Sequence, residues 1–508
     1  MKRSAAGLAI AVGLSLATAA VAAASDWRTS AGGTVNGLAV IDTGGGPEQR
    51  PGADASLHID SASAHLAARL ELRGRIGGSF VGGSGAGVYG FDDTFQNQSP
   101  ALEFPEAWLE ARSARVEVRA GLQRLAWGKL DGLPPTDVLN PRDYHDPLVA
   151  DFEDRKIGTP ALSATWYPGV VPIPGLHDVK LSLVWLPFAV PSRLALARER
   201  WFSHSIEPPT HLRLSKRVLD RFGLCPTFCQ SPQAIAPIAI ETANNTPPRQ
   251  LDEGGVALRL AGTWRETDWD LYHYTGPETA PVVALQPELY LPAGMRPPGA
   301  SPRLSIGAVS RLVQERRRIH MTGADLATTV GGFTLRAELA WFVDRPYLRV
   351  ASDLLTDSAL RRIDRHVPTT LARRGRAAVD LGELFPTHDT IEWGVGADYL
   401  WNGWLPLLQI NQIAFLDDPH ERLLVDAPET RLTGSLKKKF FDERIEFELR
   451  TAFGIARGWW FVMPRIGYRV RDDLRVRIGY LAIGGPRASY LGQFAANDEV
   501  TFQVQYSY

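Results

Sequence analysis

Glu499-Val-Thr-Phe-Gln-Val-Gln-Tyr-Ser-Tyr508 alternates apolar and polar residues without interruption and ends on an aromatic. Successive side chains of an extended strand point to opposite sides. Val500, Phe502, Val504, Tyr506 and Tyr508 therefore share one face, and Thr501, Gln503, Gln505 and Ser507 the other. The first face suits lipid and its interface; the second suits a wet interior.

The same period of two runs through the chain. Arg444–Phe453 sets Ile445, Phe447, Leu449 and Phe453 against Arg444, Glu446, Glu448 and Arg450, and Leu474–Tyr480 repeats the pattern. Leu66–Phe80, Val116–Gln123, Phe333–Val343 and Ile391–Trp401 also fit a strand and not a helix. Hairpin chemistries separate neighbouring strands at Ser61–Ala64, Ser113-Ala114, Arg265-Glu266, Gly331-Gly332, Asn402-Gly403, Phe441-Asp442 and Asp472-Asp473. Long Pro-, Gly- and Asp-rich segments alternate with them, including 127–157 and 189–253. Arg303–Val313 reads as loop. The pattern predicts an all-β, transmembrane antiparallel barrel of about 18 strands with short periplasmic turns and long external loops. A barrel of that size encloses a water-filled lumen. Trp108, Trp127, Trp166, Trp264, Trp269, Trp341, Trp401, Trp404, Trp459 and Trp460 fall near strand ends, where two interfacial girdles are expected.

The terminal strand resembles the targeting strand of Gram-negative outer-membrane barrels. The resemblance implies that Phe502, Val504, Tyr506 and Tyr508 form the signal read by the barrel-assembly machinery. At the other end Lys2 and Arg3 precede an apolar run from Ala5 to about Ala24 with small residues at its close, the pattern of an export signal peptide over 1–24. The barrel then occupies 25–508, in the cell outer membrane. No other run of about 18 apolar residues exists to span a bilayer as a helix.

The overall composition, 44% hydrophobic and 22% charged with a net charge of -1, resembles that of a soluble protein because lipid-facing and lumen-facing residues cancel along each strand. Near-neutrality argues against nucleic acid as a partner. The two cysteines, Cys225 and Cys229, suit a local disulfide in an oxidising compartment. No further ligands stand at the spacing a zinc site needs, so neither a metal nor a cofactor is expected.

The most unusual stretch is Ala126–Asp146, AWGKLDGLPPTDVLNPRDYHD, whose prolines forbid regular ladder pairing. It resembles the corresponding run in a family of uncharacterised proteobacterial outer-membrane barrels that carry Trp-Gly followed by a Thr-Asp-Val-Leu-Asn-Pro-Arg-Asp-like sequence. Lys156–Ala161, Val184–Phe188 and Gly323–Gly332 extend the likeness, and alginate-export-type barrels are more distantly similar. In strand order this is the third external loop, the one porins fold inward. On that reading Asp137, Asn140, Arg142, Asp143, His145, Asp146 and Arg155 define a pore constriction. Their structural alternative is turn capping and salt bridges to the wall.

Alternation turns Arg73, Arg75, Arg119, Arg336, Arg465, Arg469, Arg475 and Arg477 toward the lumen, with Glu338, Glu446 and Glu448 among the opposing acids. The excess of arginine favours anionic or polyhydroxylated solutes. Cross-strand pairing that only stiffens the wall is the alternative. Arg316-Arg-Arg318 could meet anionic lipopolysaccharide or be an ordinary solvated run. His145-Asp146, His204 and His388-Asp389 lack an oriented nucleophile and base, so catalysis is not expected. The expectation is a porin-like passive channel for small polar solutes in outer-membrane lipid and lipopolysaccharide, as one barrel or a homotrimer. A barrel component of an export or lipid-transport assembly, opened by a periplasmic partner, is the alternative.

Overall fold

The computed structural model describes residues 27–44, 49–77, 86–91, 98–148, 154–195, 199–206, 211–214, 234–243, 251–280, 282–290, 307–350, 374, 376–378 and 382–508. The segment read as a signal peptide, Cys225 and Cys229 lie outside the described residues.

Eighteen strands pair antiparallel in chain order. The first nine are β1 Arg28–Asp42, β2 Gln49–Ala62, β3 Leu66–Gly77, β4 Ala107–Arg112, β5 Val116–Gln123, β6 Thr159–Trp166, β7 Leu176–Leu186, β8 Gly255–Trp264 and β9 Thr267–Pro277. The second nine are β10 Arg318–Val330, β11 Phe333–Pro346, β12 Thr387–Tyr399, β13 Trp404–Phe415, β14 Glu429–Phe440, β15 Ile445–Gly454, β16 Trp460–Arg471, β17 Leu474–Gly484 and β18 Glu499–Ser507. β18 pairs back onto β1, from Asp42↔Glu499 to Thr34↔Ser507, so the sheet closes and satisfies its own backbone. The chain is an all-β, closed 18-stranded barrel of the transmembrane type.

The predicted short turns join strands at one rim. Gly331 and Gly332, both at positive φ (57° and 86°), make the tight turn between β10 and β11. Long connections gather at the other rim, except that only residues 455–459 link β15 to β16. Gly307–Glu315, most of whose residues fall in the stretch Arg303–Val313 expected to be loop, is instead a strand; it lies outside the barrel in a second, five-stranded sheet. That sheet is built by the long connections, with His211–Leu214, Ala234–Ala243, Val282–Tyr290 and Arg376–Ala378.

Alternation sets the two faces. Phe502, Val504, Tyr506 and Tyr508 are exposed on the outside, whereas Glu499 is fully buried on the inside. Outward tryptophans mark both rims: Trp166, Trp264 and Trp401 near the turns, Trp341 and Trp460 near the loops. Three of the expected girdle residues are instead inside. Trp108 is the register partner of inward Arg69 and lies under the Arg119 guanidinium at 4.0 Å. Trp127 and Trp459 are buried. Trp127 belongs to a loop that packs within the barrel, and Trp459 ends the short 455–459 connection with its indole over Gly454.

Two apolar cores fill part of the interior. One joins Trp127, Val138 and Leu139 to the inner faces of β6–β11, through Val184, Ala257, Tyr272, Met321 and Phe342 among others. The other lies at the loop rim, where Trp201, Phe202, Phe385, Leu491 and Phe494 pack against Met463, Leu481 and Ile483 of β16 and β17.

Candidate functional site

The described residues of the connection from β5 to β6, 124–148 and 154–158, enter the barrel and are held at both base and tip. At its base Asn140 is 0% exposed. Its Nδ2 donates to the carbonyls of Gln123 (3.0 Å) and Ile157 (2.9 Å), and its Oδ1 accepts from the Leu125 N–H (2.6 Å), so one side chain ties both ends of the loop together. Asp137, also buried, pairs with Arg142 (2.7 Å) and Lys156 (2.9 Å).

Asp143 joins the loop to the wall. Its carboxylate takes Arg75 of β3 at 3.2 Å, Arg193 at 3.6 Å and the His145 ring Nδ1 at 2.7 Å. Burial alone would raise the Asp143 pKa, but His145, Arg75 and Arg193 outweigh it and hold the carboxyl well below the usual range. Asp146 lies within electrostatic reach of Arg50 and Glu499. For Arg155, burial lowers the guanidinium pKa; Tyr144 opposes this shift and Arg142 adds to it. Arg73, Arg75, Glu103, Asp143, Arg155, Lys156 and Arg193 line one small cleft.

The tip crosses to the far wall. Trp127 packs on Tyr272 of β9 with ring centroids 4.8 Å apart. The Lys129 ammonium bonds both Asp270 of β9 and Asp325 of β10. Glu338 of β11 accepts the backbone N–H of Lys129, that of Leu130 (2.6 Å) and the hydroxyl of Thr136 (3.0 Å). On β13, Gln409 exchanges two 2.8 Å bonds with the backbone of Asp131, and Asn411 donates to the Leu133 carbonyl. A loop rooted between the fifth and sixth strands thus touches the ninth, tenth, eleventh and thirteenth.

Most predicted wall residues are paired. Arg73 meets Glu71 and Glu103; Arg119 meets Glu110 (2.5 Å) and Glu117; Arg336 meets Asp398 and the loop's Asp131. Glu448 lies between Lys437 (3.4 Å) and Arg465 (3.7 Å), and Glu446 is 3.9 Å from Arg475. Arg469 turns to the Asp442 carbonyl (3.0 Å) at the turn rim. Arg477 forms no ion pair among the described residues. The basic run is used within the loops: Arg316 pairs with Glu253, Arg317 with Glu315 and Glu383, and Arg318 donates to the Gly254 carbonyl. Sequence reading left out Lys129, Asp270, Asp325, Gln409 and Asn411. The polar-face alternation of β9, β10 and β13 held a signal for the last four. Among the described residues no group of three or more His, Cys, Asp or Glu is placed to hold a metal ion.

A family model described as "Protein of unknown function (DUF1302)" matches residues 197–418, less than half of the chain. No curated protein matches. Among solved structures the chain is similar to the outer membrane protein OpdK of Pseudomonas aeruginosa (11% identity, TM-score 0.45, covering 95% of this chain and 99% of that one). It is also similar to OccK2 (OpdF) of Pseudomonas aeruginosa in complex with glucuronate (12%, 0.44, 94% and 98%). OccAB3 of Acinetobacter baumannii is a third (9%, 0.44, 95% and 99%).

Proposed function

We propose that this chain is an outer-membrane channel for passive passage of small polar solutes, preferring anionic ones, with the 124–158 loop narrowing the bore and no chemical turnover. The reading is carried by one observation: the loop reaches from β5 and β6 to β9–β13 and packs over that side of the inner wall. Below the rim core that covers the loop ends of β15–β17, the inner faces of β14–β17 are left to border the path. Lys437, Arg450, Arg465, Arg475 and Arg477 lie there against Glu446 and Glu448, an excess of fixed positive charge that would lower the barrier to anions. The membrane address is supported by the apolar outer face with tryptophans at both rims, together with the export signal read in 1–24. Residues Phe502 to Tyr508 would serve as the assembly signal.

The test is conductance of the purified protein in planar bilayers under a salt gradient. Steady open channels with a reversal potential on the anion side are expected; clear cation selectivity would overturn the solute preference.

A second reading is favoured by the apolar core at the loop rim, which lies over β15–β17. It suits a barrel closed at rest that handles hydrophobic compounds within an export assembly and opens when a periplasmic partner docks. Silence of the pure protein, relieved by a periplasmic extract, would favour this reading over the porin.

A further inference from the structure

Asp270, Asp325 and Glu338 form a row across three adjacent strands. Asp270 is the register partner of Asp325, and Asp325 that of Glu338, all facing inward and nearly fully buried. Like charges directly opposite one another in a sheet are destabilising, and buried carboxylates need a counter-charge or donors. The barrel wall supplies little of either. Among the described residues Arg259 forms a direct ion pair with Asp270 alone (2.8 Å), feeling Asp325 at longer range, and Tyr272 donates its hydroxyl to Asp325 (2.5 Å). Among the described residues the only cation paired with Asp325 is Lys129, and Glu338 has no cation at all. The remaining donors come from the same loop tip, through its backbone N–H groups and Thr136.

The wall is shaped for this tip. A Cβ on inward Gly394 of β12 would stand 2.6 Å from the Leu130 side chain, and one on Gly323 of β10 would stand 2.9 Å from that of Thr136. Gly128 turns the chain at φ 88°, and a Cβ there would meet Glu338 at 2.7 Å.

We infer that Lys129 is the positioning residue of the channel: a tethered cation that latches the loop tip onto the Asp270–Asp325–Glu338 row, fixing the bore and hiding three carboxylates from the permeation path. The inference rests on the channel reading and names the residue that sets its selectivity. Release of Lys129 would both widen the path and line its far side with negative charge.

Hydrogen exchange over residues 124–140 and bilayer reversal potentials are measured for the full-length protein and its Lys129→Gln, Lys129→Arg and Asp325→Asn variants, each checked for heat-modifiable migration. Lys129→Gln is expected to exchange at least tenfold faster in the loop, conduct more and shift its reversal potential toward cations. Lys129→Arg should restore both readouts. Asp325→Asn should loosen the loop with a smaller shift toward cations, because one carboxylate is gone, and it serves if Lys129→Gln does not fold. Wild-type protection in both loosening variants, or lost protection in Lys129→Gln with an unmoved reversal potential, overturns the inference and leaves the channel reading standing. If the wild type is silent the channel reading fails instead, and loop exchange with the arginine rescue alone decides whether Lys129 is a latch.

Discussion

Arg50 on β2 and Glu499 on β18, 449 positions apart, meet in a 2.7 Å ion pair across the intervening β1, with Glu499 wholly buried and Arg50 nearly so. Arg50 also holds Asp42 of β1 at 2.9 Å, and Arg200 from the β7–β8 connection approaches both acids, at 3.0 Å and 3.4 Å. Chain ends brought together to close the barrel are thus pinned by buried charge at the loop end of the seam.

Removing one partner of such a set leaves uncompensated buried charge, which costs about 3–5 kcal/mol. Arg50→Met should therefore lower the temperature at which the protein loses its folded, fast-migrating gel form. A midpoint equal to that of the wild type would show that Arg200 alone neutralises the seam.

At the opposite end of the seam Tyr508 exchanges backbone bonds with Gly33 (3.0 and 3.1 Å), and its hydroxyl donates to the Ser56 carbonyl at 3.2 Å. Deleting Tyr508 removes these three bonds and the last aromatic of the terminal strand. The yield of folded barrel in the outer-membrane fraction is expected to fall several-fold, while Ser507→Ala should leave it unchanged. Equal yields for the two variants would remove the terminal residue from the assembly signal.

Strand identity, facing and the short turns were legible because each rests on local alternation and turn chemistry. The Gly331-Gly332 turn even sets Asp325 opposite Glu338 by counting back from Val330↔Phe333, a pairing the reading of β11 alone passed over. What could not be read locally was register across the long connections. Asp270 meets Asp325 only because β9 pairs with β10 after forty intervening residues. The acids that pair with the wall arginines were hidden for the same reason. Glu103, Glu110, Asp270 and Asp325 belong to strands whose polar face was not tallied, Glu103 as the register partner of Arg73, and Asp137 and Asp143 arrive from the 124–158 loop. Trp127 and Trp459 near strand ends look like girdle residues by position; only packing separates a ring turned inward from one turned to lipid.

Asn140 satisfies three buried backbone groups at the neck of the 124–158 loop. In Asn140→Ala those groups lose their partners within a closed space, at about 1–3 kcal/mol each. The cost is local, so proteolysis and hydrogen exchange within 124–158 should rise markedly while the heat-modifiable transition of the barrel shifts little. A variant loop as protected as the wild type would mean that water or a neighbouring side chain takes over all three bonds.

Asp143 gives the loop a pH dependence of definite sign. Burial acts to raise its pKa, but His145, Arg75 and Arg193 prevail and depress it. A carboxylate depressed on folding stabilises the folded form at every pH above its unfolded value of about 4, and that contribution is lost as pH falls through the depressed value. The stability difference between wild type and Asp143→Asn, followed by loop exchange or acid unfolding, should therefore still be present at pH 5 and be lost only below about 4. Narrowing that is already complete at pH 5 would place the carboxyl above its ordinary range and would show that desolvation, and not the surrounding cations, governs it.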